Sequence, residues 1–516
     1  MSRDDRKILL CLVLFGLAVR ILSLMMIHTG ADERDYWFSA KRLVLGFPYT
    51  PIQHRTVRFG IILPVALAQK LLGTHPNVYY VLPLLLSALQ VAFMFILGLK
   101  LSGRAVGFLA AVFMAMFPYM IRAGSQVRPE IFSVTYILIG LFFFLSYLEQ
   151  EGPAIISLCL SALFLFLAYM SKITSLYFYP GFIAAILLFK KRKGHAVLFS
   201  LLLAALYLGE TWVLYRLSGN PLGNLGIIRA SHLESGYIAP MDFWGLFQRY
   251  SPRYLPFYWL AVLLLFPVAA VFCRLWLRDR RIDTLSLYCL SFLAGITFAV
   301  SSLKPVMPVE AFIHRYFLAM LGPLLLVESI FIVAAAKKAR AALPMLHKHN
   351  AAGKGFRYGA ALLAGALTIG AVFSLGVLPK SLSLYFNNPL RPEQHPLFLN
   401  VRYRSLVNQA YDRVIPFLST NDTAGYNALA TCVSYFLDEK HFSRGELPQI
   451  REVSLGAQNY FLLLNPDLGA QAPRWTADAQ RQVVAATRNP FHLSPTPLGN
   501  LLQILREGQK GKESNE

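Results

Sequence analysis

Apolar runs of roughly 17 to 24 residues, separated by short polar joints, recur from Ile8 to about residue 378. Runs of that length and composition predict membrane-spanning helices. They lie at roughly 8–27, 77–99, 105–121, 131–148, 154–170, 173–189, 195–217, 255–276, 283–303, 312–335 and 356–378, about eleven in all. Two stretches near the start read differently. Phe59 to Gly73 is apolar but only 15 residues long, which at 1.5 Å per residue reaches about 22 Å, short of the roughly 30 Å hydrocarbon core. It also contains Pro64, Gln69 and Lys70. Residues 36–45 place Tyr36, Ala40, Leu43 and Val44 on one helical face and Lys41 on another. Both stretches are predicted to be interfacial helices lying on the outer membrane surface, inside a long first outer loop.

Charge fixes the orientation. Arg3, Arg6 and Lys7 precede the first run, and Lys190-Lys-Arg-Lys193, Arg278-Asp-Arg-Arg281 and Lys337-Lys-Ala-Arg340 fall between later ones. Counting 59–73 as a span would turn those three clusters outward, against the rule that basic joints face the cytoplasm. The N-terminus is therefore read as cytoplasmic, with a retained first helix, and an odd number of spans puts the C-terminal segment outside. The chain of 516 residues is 56% hydrophobic with a net charge of +22, and because its Lys and Arg sit in these joints the charge is read as orientation, with no nucleic-acid partner. Four of the five cysteines, Cys11, Cys159, Cys273 and Cys289, lie in or beside apolar runs, and Cys432 has no neighbour in sequence, so neither a zinc spacing nor a disulfide framework is present. From about residue 380 the composition shifts toward Asn, Pro, Arg and Gln, and Asn459-Tyr-Phe-Leu-Leu-Leu464 reads as a buried strand. The expected architecture is an all-α polytopic membrane domain over 1–379, with interfacial helices in its first outer loop. A small extracytoplasmic α/β or α+β domain over 380–505 and a disordered tail over 506–516 follow it.

Four groups of polar residues on the predicted outer face stand out. Asp32, Glu33 and Asp35, with Arg34 and Tyr36, come directly after the first span. Acidic residues suit the positive end of a helix, but three carboxylates beside an Arg exceed what a cap requires. Gln53-His-Arg-Thr-Val-Arg58 places His54, Arg55 and Arg58 on the outer side. This is either a solvated turn meeting lipid headgroups or a cradle for a lipid-linked phosphate, since the guanidinium fork matches phosphate oxygens. In Ser125-Gln-Val-Arg-Pro-Glu130, Pro129 fits the first turn of the next helix and Glu130 its positive end, which leaves Arg128 unexplained. The fourth group is Lys304 together with His314, Arg315 and Tyr316, which enter a span from its outer end and offer donors to a phosphate leaving group. Two weaker features remain: the loop 218–254, long and without clear pattern, and Lys172 alone at the outer end of a span.

The run Asp32-Glu-Arg-Asp-Tyr-Trp-Phe-Ser-Ala-Lys-Arg-Leu-Val-Leu-Gly46 resembles the first-loop motif of the GT-C glycosyltransferase superfamily, and within it most closely that of the lipid A aminoarabinose transferases and protein O-mannosyltransferases. The segment 59–73 is similar to their second juxtamembrane helix, and His314-Arg-Tyr-Phe-Leu with Pro323 to their late Arg-Tyr helix. Arg128-Pro-Glu130 stands where several relatives carry an acidic residue on the second loop. Their Lys-Pro-Pro run is replaced by His54-Arg-Thr-Val-Arg58, and the Thr-Trp-Glu signature of the dolichol-linked mannosyltransferases is missing. The resemblance implies a glycosyltransferase on the outer face that takes a sugar from a polyprenyl-phosphate donor to a lipid, glycan or protein acceptor. It implies Asp32 as general base, with Glu33, Asp35 and Glu130 as further catalytic carboxylates, and a single inverting displacement. His54, Arg55, Arg58, Arg128, Lys304, His314, Arg315 and Tyr316 would then bind the donor phosphate. No cofactor is expected, and Mg²⁺ or Mn²⁺ at the carboxylates is not favoured. A bacterial inner membrane with a periplasmic site is the expected location. Two rival readings are a transporter or flippase of lipid-linked saccharide, which would bury charges deep in its spans, and an O-antigen ligase or polymerase, which would use a large late loop such as 218–254.

Overall fold

In the computed structural model the described residues are 1–25, 27, 31–51, 53–149, 155–234, 240–248, 250–251, 255, 257–303, 306–308, 314–348, 395–411, 416–419, 432–439, 449–455 and 458–464. The predicted span 356–378 and the tail 506–516 lie outside them. The chain divides into two compact units, one of Met1–Leu24, Thr50–Ile61 and Pro83–Asn388, the other of Met25–Tyr49, Ile62–Leu82 and Pro389–Glu516.

Most of the apolar runs form the expected helices. They are α1 (Arg3–Leu22), α4 (Val81–Ser102, entered through a 3-10 turn Pro76–Tyr80), α5 (Arg104–Met116), α7 (Pro129–Glu149), α8 (Ile155–Ser171), α9 (Tyr179–Ala185), α10 (Lys193–Ser218), α13 (Phe257–Phe272), α14 (Arg280–Phe298) and α15 (Leu321–Lys348). Between them in the chain lie α2 (Ala31–Val44), α3 (Phe59–Leu72), α6 (Pro118–Ala123), α11 (Gly223–Glu234) and α12 (Gly245–Gln248). Among the described residues five helical segments are long and apolar enough to cross a membrane: Pro76–Ser102, Pro129–Glu149, Ile173–Lys190, Lys193–Ser218 and Arg315–Lys338. Phe59–Leu72, Arg104–Met116, Ile155–Ser171 and Val262–Leu277 are shorter apolar helices. Their outward faces carry apolar stripes, such as Leu264, Val268, Val271 and Leu275, as a helix bundle in lipid requires. The chain is an integral membrane protein of mainly helical fold.

Inside the first unit α7 packs on α8, α5 on α1 and α15, and α14 on α9 and α15. Close approach depends on small residues. A Cβ on Gly98 of α4 would lie 2.6 Å from the Gly107 Cα of α5, so the two backbones touch there. Gln90 of α4 bridges to α7, donating to Ile131 O at 2.9 Å and Thr135 Oγ1 at 3.0 Å.

The expected span 105–121 is broken. Phe117 before Pro118 is extended (φ −63°, ψ 121°), as the proline ring demands of its predecessor. α5 therefore ends at Met116 and the short α6 begins at Pro118. The break frees carbonyls at the end of α5, and Arg20 of α1, only 1% exposed, supplies their donors. Its Nη1 donates to Ala115 O and its Nη2 to Met114 O at 3.2 Å. Arg20→Leu is expected to destabilise the unit by about 1–3 kcal/mol for each carbonyl left unpaired. Denaturant titration of the protein in mixed micelles measures it, and an unchanged midpoint contradicts this role.

Three further expectations need correction. The span predicted over 283–303 ends at Phe298, where the chain turns into an antiparallel hairpin of β1 (Val300–Leu303) and β2 (Val306–Pro308). The all-α expectation fails there because Val300-Ser-Ser-Leu continues an apolar run and carries no turn signal until Lys304-Pro305. The cluster Lys337-Lys-Ala-Arg340, read as a joint, lies within α15. The loop 218–254 holds α11 and the single turn α12 rather than irregular chain.

In the second unit α2 begins at Ala31, five residues before the helix read from the sequence, so Asp32 and Glu33 occupy its first turn. Its buried face is Glu33, Tyr36, Trp37, Ala40 and Lys41. Leu43 and Val44, expected on that face, are half-buried. Residues near the other end of the chain cover it. Trp37 stacks on Tyr435 at 6.2 Å and meets Tyr79 edge-on at 5.6 Å, while Lys41 Nζ donates to Leu437 O at 2.8 Å. A further helix, α16 (Pro396–Tyr411), packs on the 3-10 turn Pro76–Tyr80, where Asn77 donates to Leu397 O at 3.0 Å. The strand read at 459–464 forms as β5 (Gln458–Leu464), which pairs antiparallel between β3 (Pro416–Ser419) and β4 (Gln449–Leu455).

Lys41 makes this unit pH-sensitive. Burial pushes its ammonium down to about 7, with Glu439 raising it in part. The unfolded chain holds that proton up to its ordinary value of 10.5, so between these limits the unfolded state binds more protons and stability rises with pH. The thermal midpoint of the wild type should climb from pH 7 toward pH 10, and Lys41→Met should flatten the climb. An equal climb in the variant would refute the assignment.

Candidate functional site

The loop between α6 and α7 is short and wholly buried. After α6 it runs through Ser125, Gln126, Val127 and Arg128 into α7, held by backbone bonds from Gln126 N to Ala123 O (3.1 Å) and from Arg128 N to Gln126 O (2.8 Å). Pro129 starts α7 and Glu130 lies in its first turn, as a helix start favours. Glu130 does more than cap. It is 1% exposed, and its Oε1 accepts from Lys172 Nζ at 2.8 Å and lies 3.8 Å from Arg315 Nε.

Lys172 reaches that point because α8 stops at Ser171 and the chain turns through an extended Lys172 (φ −153°, ψ 116°) into the 3-10 turn Ile173–Phe178. Its side chain is 3% exposed. Nζ also donates to Arg315 O at 3.2 Å and sits 4.3 Å from the Tyr316 ring centroid. One ammonium therefore ties the start of α7, the end of α8 and the 3-10 turn His314–Met320 together. The Arg315 side chain is 28% exposed, with its Nε buried.

More cations surround the pair. Arg128, 7% exposed, acts on Glu130, and Arg58, 8% exposed, acts on Lys172. Tyr119 of α6 feels Glu130, Arg128, Arg315 and Arg122 together. Three cationic side chains, Lys172, Arg315 and Arg128, thus gather around one carboxylate, with Arg58 acting on Lys172 and Arg122 on Tyr119. Buried groups lie beside them that make no hydrogen bond among the described residues: both amide atoms of Gln126, the second oxygen of Glu130 and Nε of Arg122. A buried centre with excess positive charge and spare polar atoms is suited to an anion with several acceptor oxygens.

Of the residues singled out in the sequence, the structure brings Arg58, Arg128, Glu130, Arg315 and Tyr316 to this centre. His54 makes contact with α11, its Nδ1 2.6 Å from Ser231 Oγ and its ring 5.3 Å from that of His232. Arg55 is half-buried in the same turn. Lys304 and the His314 side chain lie outside the described residues. Asp32, Glu33 and Asp35 belong to the other unit, where Asp32 is half-buried, Glu33 is 3% exposed and Asp35 pairs with Arg34 at 3.3 Å. Lys172, Tyr119, Arg122 and Gln126 had been given no role. Lys172 alone carried a signal, as a lone cation between two apolar runs. Among the described residues no group of three or more His, Cys, Asp or Glu is arranged to hold a metal.

No protein-family model matches the chain, and no curated protein matches it. Among solved structures it is similar to ArnT from Cupriavidus metallidurans bound to undecaprenyl phosphate, at 13% identity and a TM-score of 0.49, over 88% of this chain and 97% of that one. It is also similar to the archaeal oligosaccharyltransferase AglB from Archaeoglobus fulgidus in complex with an inhibitory peptide and a dolichol-phosphate, at 12% identity and a TM-score of 0.46. That match spans 83% of this chain and 59% of the larger archaeal protein. At such identities and TM-scores a likeness does not carry an activity.

Proposed function

We propose that the chain is a membrane glycosyltransferase that moves a hexosyl or pentosyl group from a polyprenyl-phosphate donor to a lipid, glycan or protein acceptor on the outer, periplasmic face of a bacterial inner membrane. The observation that carries the reading is the excess of buried and half-buried cations around Glu130. In such a site a phosphate finds fixed donors, and as the sugar departs these hold the charge that develops on the leaving oxygen. Arg315, Arg128 and Arg58 bind the phosphate. Lys172 and Glu130 hold the three chain segments in place, and Tyr316 packs against the ammonium.

Asp32 takes the proton from the acceptor hydroxyl as that oxygen attacks the anomeric carbon. The bond from the anomeric carbon to the phosphate oxygen breaks, the phosphate leaves with the electron pair, and the configuration inverts. A base must reach the proton it removes and be ionised at working pH. No metal is required in this scheme, because the cations already neutralise the phosphate.

The test uses the full-length protein in lipid nanodiscs with radiolabelled polyprenyl-phosphate sugars and extracted envelope lipids and glycans as acceptors. Transfer of label to an acceptor, with release of polyprenyl phosphate, is expected. Movement of the labelled donor across vesicles with no new glycosidic product would instead establish the flippase reading.

A further inference from the structure

Two helix joints at the far end of the first unit share one construction. α7 runs from the Glu130 centre to Glu149, about 28 Å along its axis. Arg281 Nη1 donates to Glu149 Oε1 at 3.1 Å, and Lys190 Nζ stands 5.9 Å from the Tyr147 ring centroid, so both joints lie at the end of α7 away from Glu130. The first joint follows α9. The helix closes with a π turn, Ile186–Lys190, Lys191 takes the left-handed conformation (φ 53°), and α10 begins at Lys193. The second follows α13. That helix closes with a π turn, Cys273–Leu277, Arg278 is left-handed (φ 50°), and α14 begins at Arg280.

Lysine and arginine are poor residues for that conformation. A Cβ makes the left-handed region costly, and helix ends that use it favour glycine. Elsewhere the chain obeys this rule: left-handed Gly46, Gly73, Gly103 and Gly219 follow α2, α3, α4 and α10. Among the described residues Lys191 and Arg278 are the exceptions. A cation does suit a helix C-terminus, but Lys190 and Arg274 in the two last turns already meet that need. Both left-handed side chains are exposed, and neither makes a hydrogen bond or ion pair among the described residues. Each follows exposed apolar positions. Leu264, Val268, Val271 and Leu275 lead to Arg278, and Leu187 and Leu188 lead to Lys191.

We propose that each joint seats the phosphate of an anionic phospholipid, whose acyl chains lie along the apolar positions beside it. The left-handed residue is the turning point of the hairpin, where the apolar stripe stops and the phosphates of a bilayer begin. A phosphodiester presents two free oxygens and one negative charge, which a guanidinium or ammonium answers directly. Contact with it offsets the cost of holding a Cβ in the left-handed region. The nearby carboxylates do not compete: Asp279 is paired with Arg281 at 2.7 Å and Asp283 with Arg274. Exposed Arg280 stands beside Arg278, and exposed Arg192 and Lys193 beside Lys191, so a zwitterionic headgroup brings its own cation into a positive surrounding. Trp276, 44% exposed, marks the water–lipid boundary at the second joint, with Lys338 Nζ 3.3 Å from its ring centroid. The lipid is a structural partner, not a sugar donor, and its seats do not rest on the transferase reading.

The test compares phosphatidylglycerol with phosphatidylcholine of the same acyl chains, added to the full-length protein stripped of lipid in dodecyl maltoside. Native mass spectrometry reads binding, and the thermal midpoint reads its effect. The wild type should bind phosphatidylglycerol on the order of tenfold more tightly, as one charge-assisted contact provides, and only that lipid should raise the midpoint. Arg278→Gly and Lys191→Gly should each lower its apparent affinity by a similar factor, and the double variant should lose the preference. Without lipid both glycine variants should melt no earlier than the wild type, because glycine accepts the left-handed conformation freely. A role confined to the helix ends gives the opposite pattern, an earlier melt without lipid and an unchanged lipid effect, and overturns the proposal. So does equal binding of the two lipids, or an equal loss in Lys7→Ser, which removes an exposed cation of α1 and would reveal diffuse attraction only. Arg278→Asn, which also tolerates this conformation, repeats the measurement should glycine loosen the joint. The comparison of lipids uses unaltered protein and no turnover, so its failure is distinct from failure of the transfer assay.

Discussion

Asp32→Asn is expected to lower the rate of sugar transfer by about 10²–10⁴-fold, the contribution of a positioned general base, while polyprenyl-phosphate binding stays at the wild-type level. Asn keeps the shape of Asp and its ability to accept a hydrogen bond at a helix start, but cannot take a proton at neutral pH. Loss of the charge from the first turn of α2 costs only about 0.3–1 kcal/mol of helix stabilisation, so the fold should survive. Neighbouring carboxylates provide the control. Asp35 is already paired with Arg34, and Glu33 lies on the buried face of α2, so Asp35→Asn and Glu33→Gln are expected to cost less turnover than Asp32→Asn. Single-turnover kinetics with bound donor separate the chemical step from donor release. A transfer rate unchanged in Asp32→Asn removes the base from the mechanism, and the largest loss falling on Asp35 moves it one helical turn along α2.

The reading from sequence succeeded where a pattern is local and failed where the partner is distant. Runs of apolar residues marked most helices, and Pro64 with the short length of 59–73 marked a helix too brief to span, which forms as α3. Pro118 was visible, yet its consequence depended on Arg20, whose acceptors are backbone carbonyls 94 and 95 residues away. Lys41 reads as a polar-face residue because nothing near it in the chain foretells that residues almost 400 positions later will cover it. The cation centre was legible in part. In the sequence Arg58 and Arg128 stand out as cations on predicted outer joints, Arg315 as a cation at a helix mouth and Glu130 through the resemblance, whereas nothing local marks Arg122 and Lys172 has no nearby carboxylate to suggest its use. The return of α11 to α10 hinges on Gly223, one glycine in a loop of several, and only the approach to Thr211 distinguishes it.

Lys172→Met is expected to destabilise the protein by about 3–5 kcal/mol, because it leaves the buried Glu130 carboxylate without its closest counter-charge. Arg315 remains 3.8 Å away but is partly exposed, so it replaces the ammonium poorly. Glu130→Gln should also destabilise, since Lys172, Arg128 and Arg315 then repel one another with no carboxylate among them. The double variant removes both charges and leaves the net charge of the centre unchanged. It is expected to regain most of the lost stability, giving a strong favourable coupling in a double-mutant cycle. Polyprenyl-phosphate affinity separates two roles for Lys172. Its ammonium is engaged by Glu130 and Arg315 O, which makes it a positioning residue, and affinity should then recover in the double variant along with stability. If stability returns while affinity stays as low as in Lys172→Met, the ammonium touches the phosphate directly. If the two substitutions add without coupling, the ion pair does not organise the site.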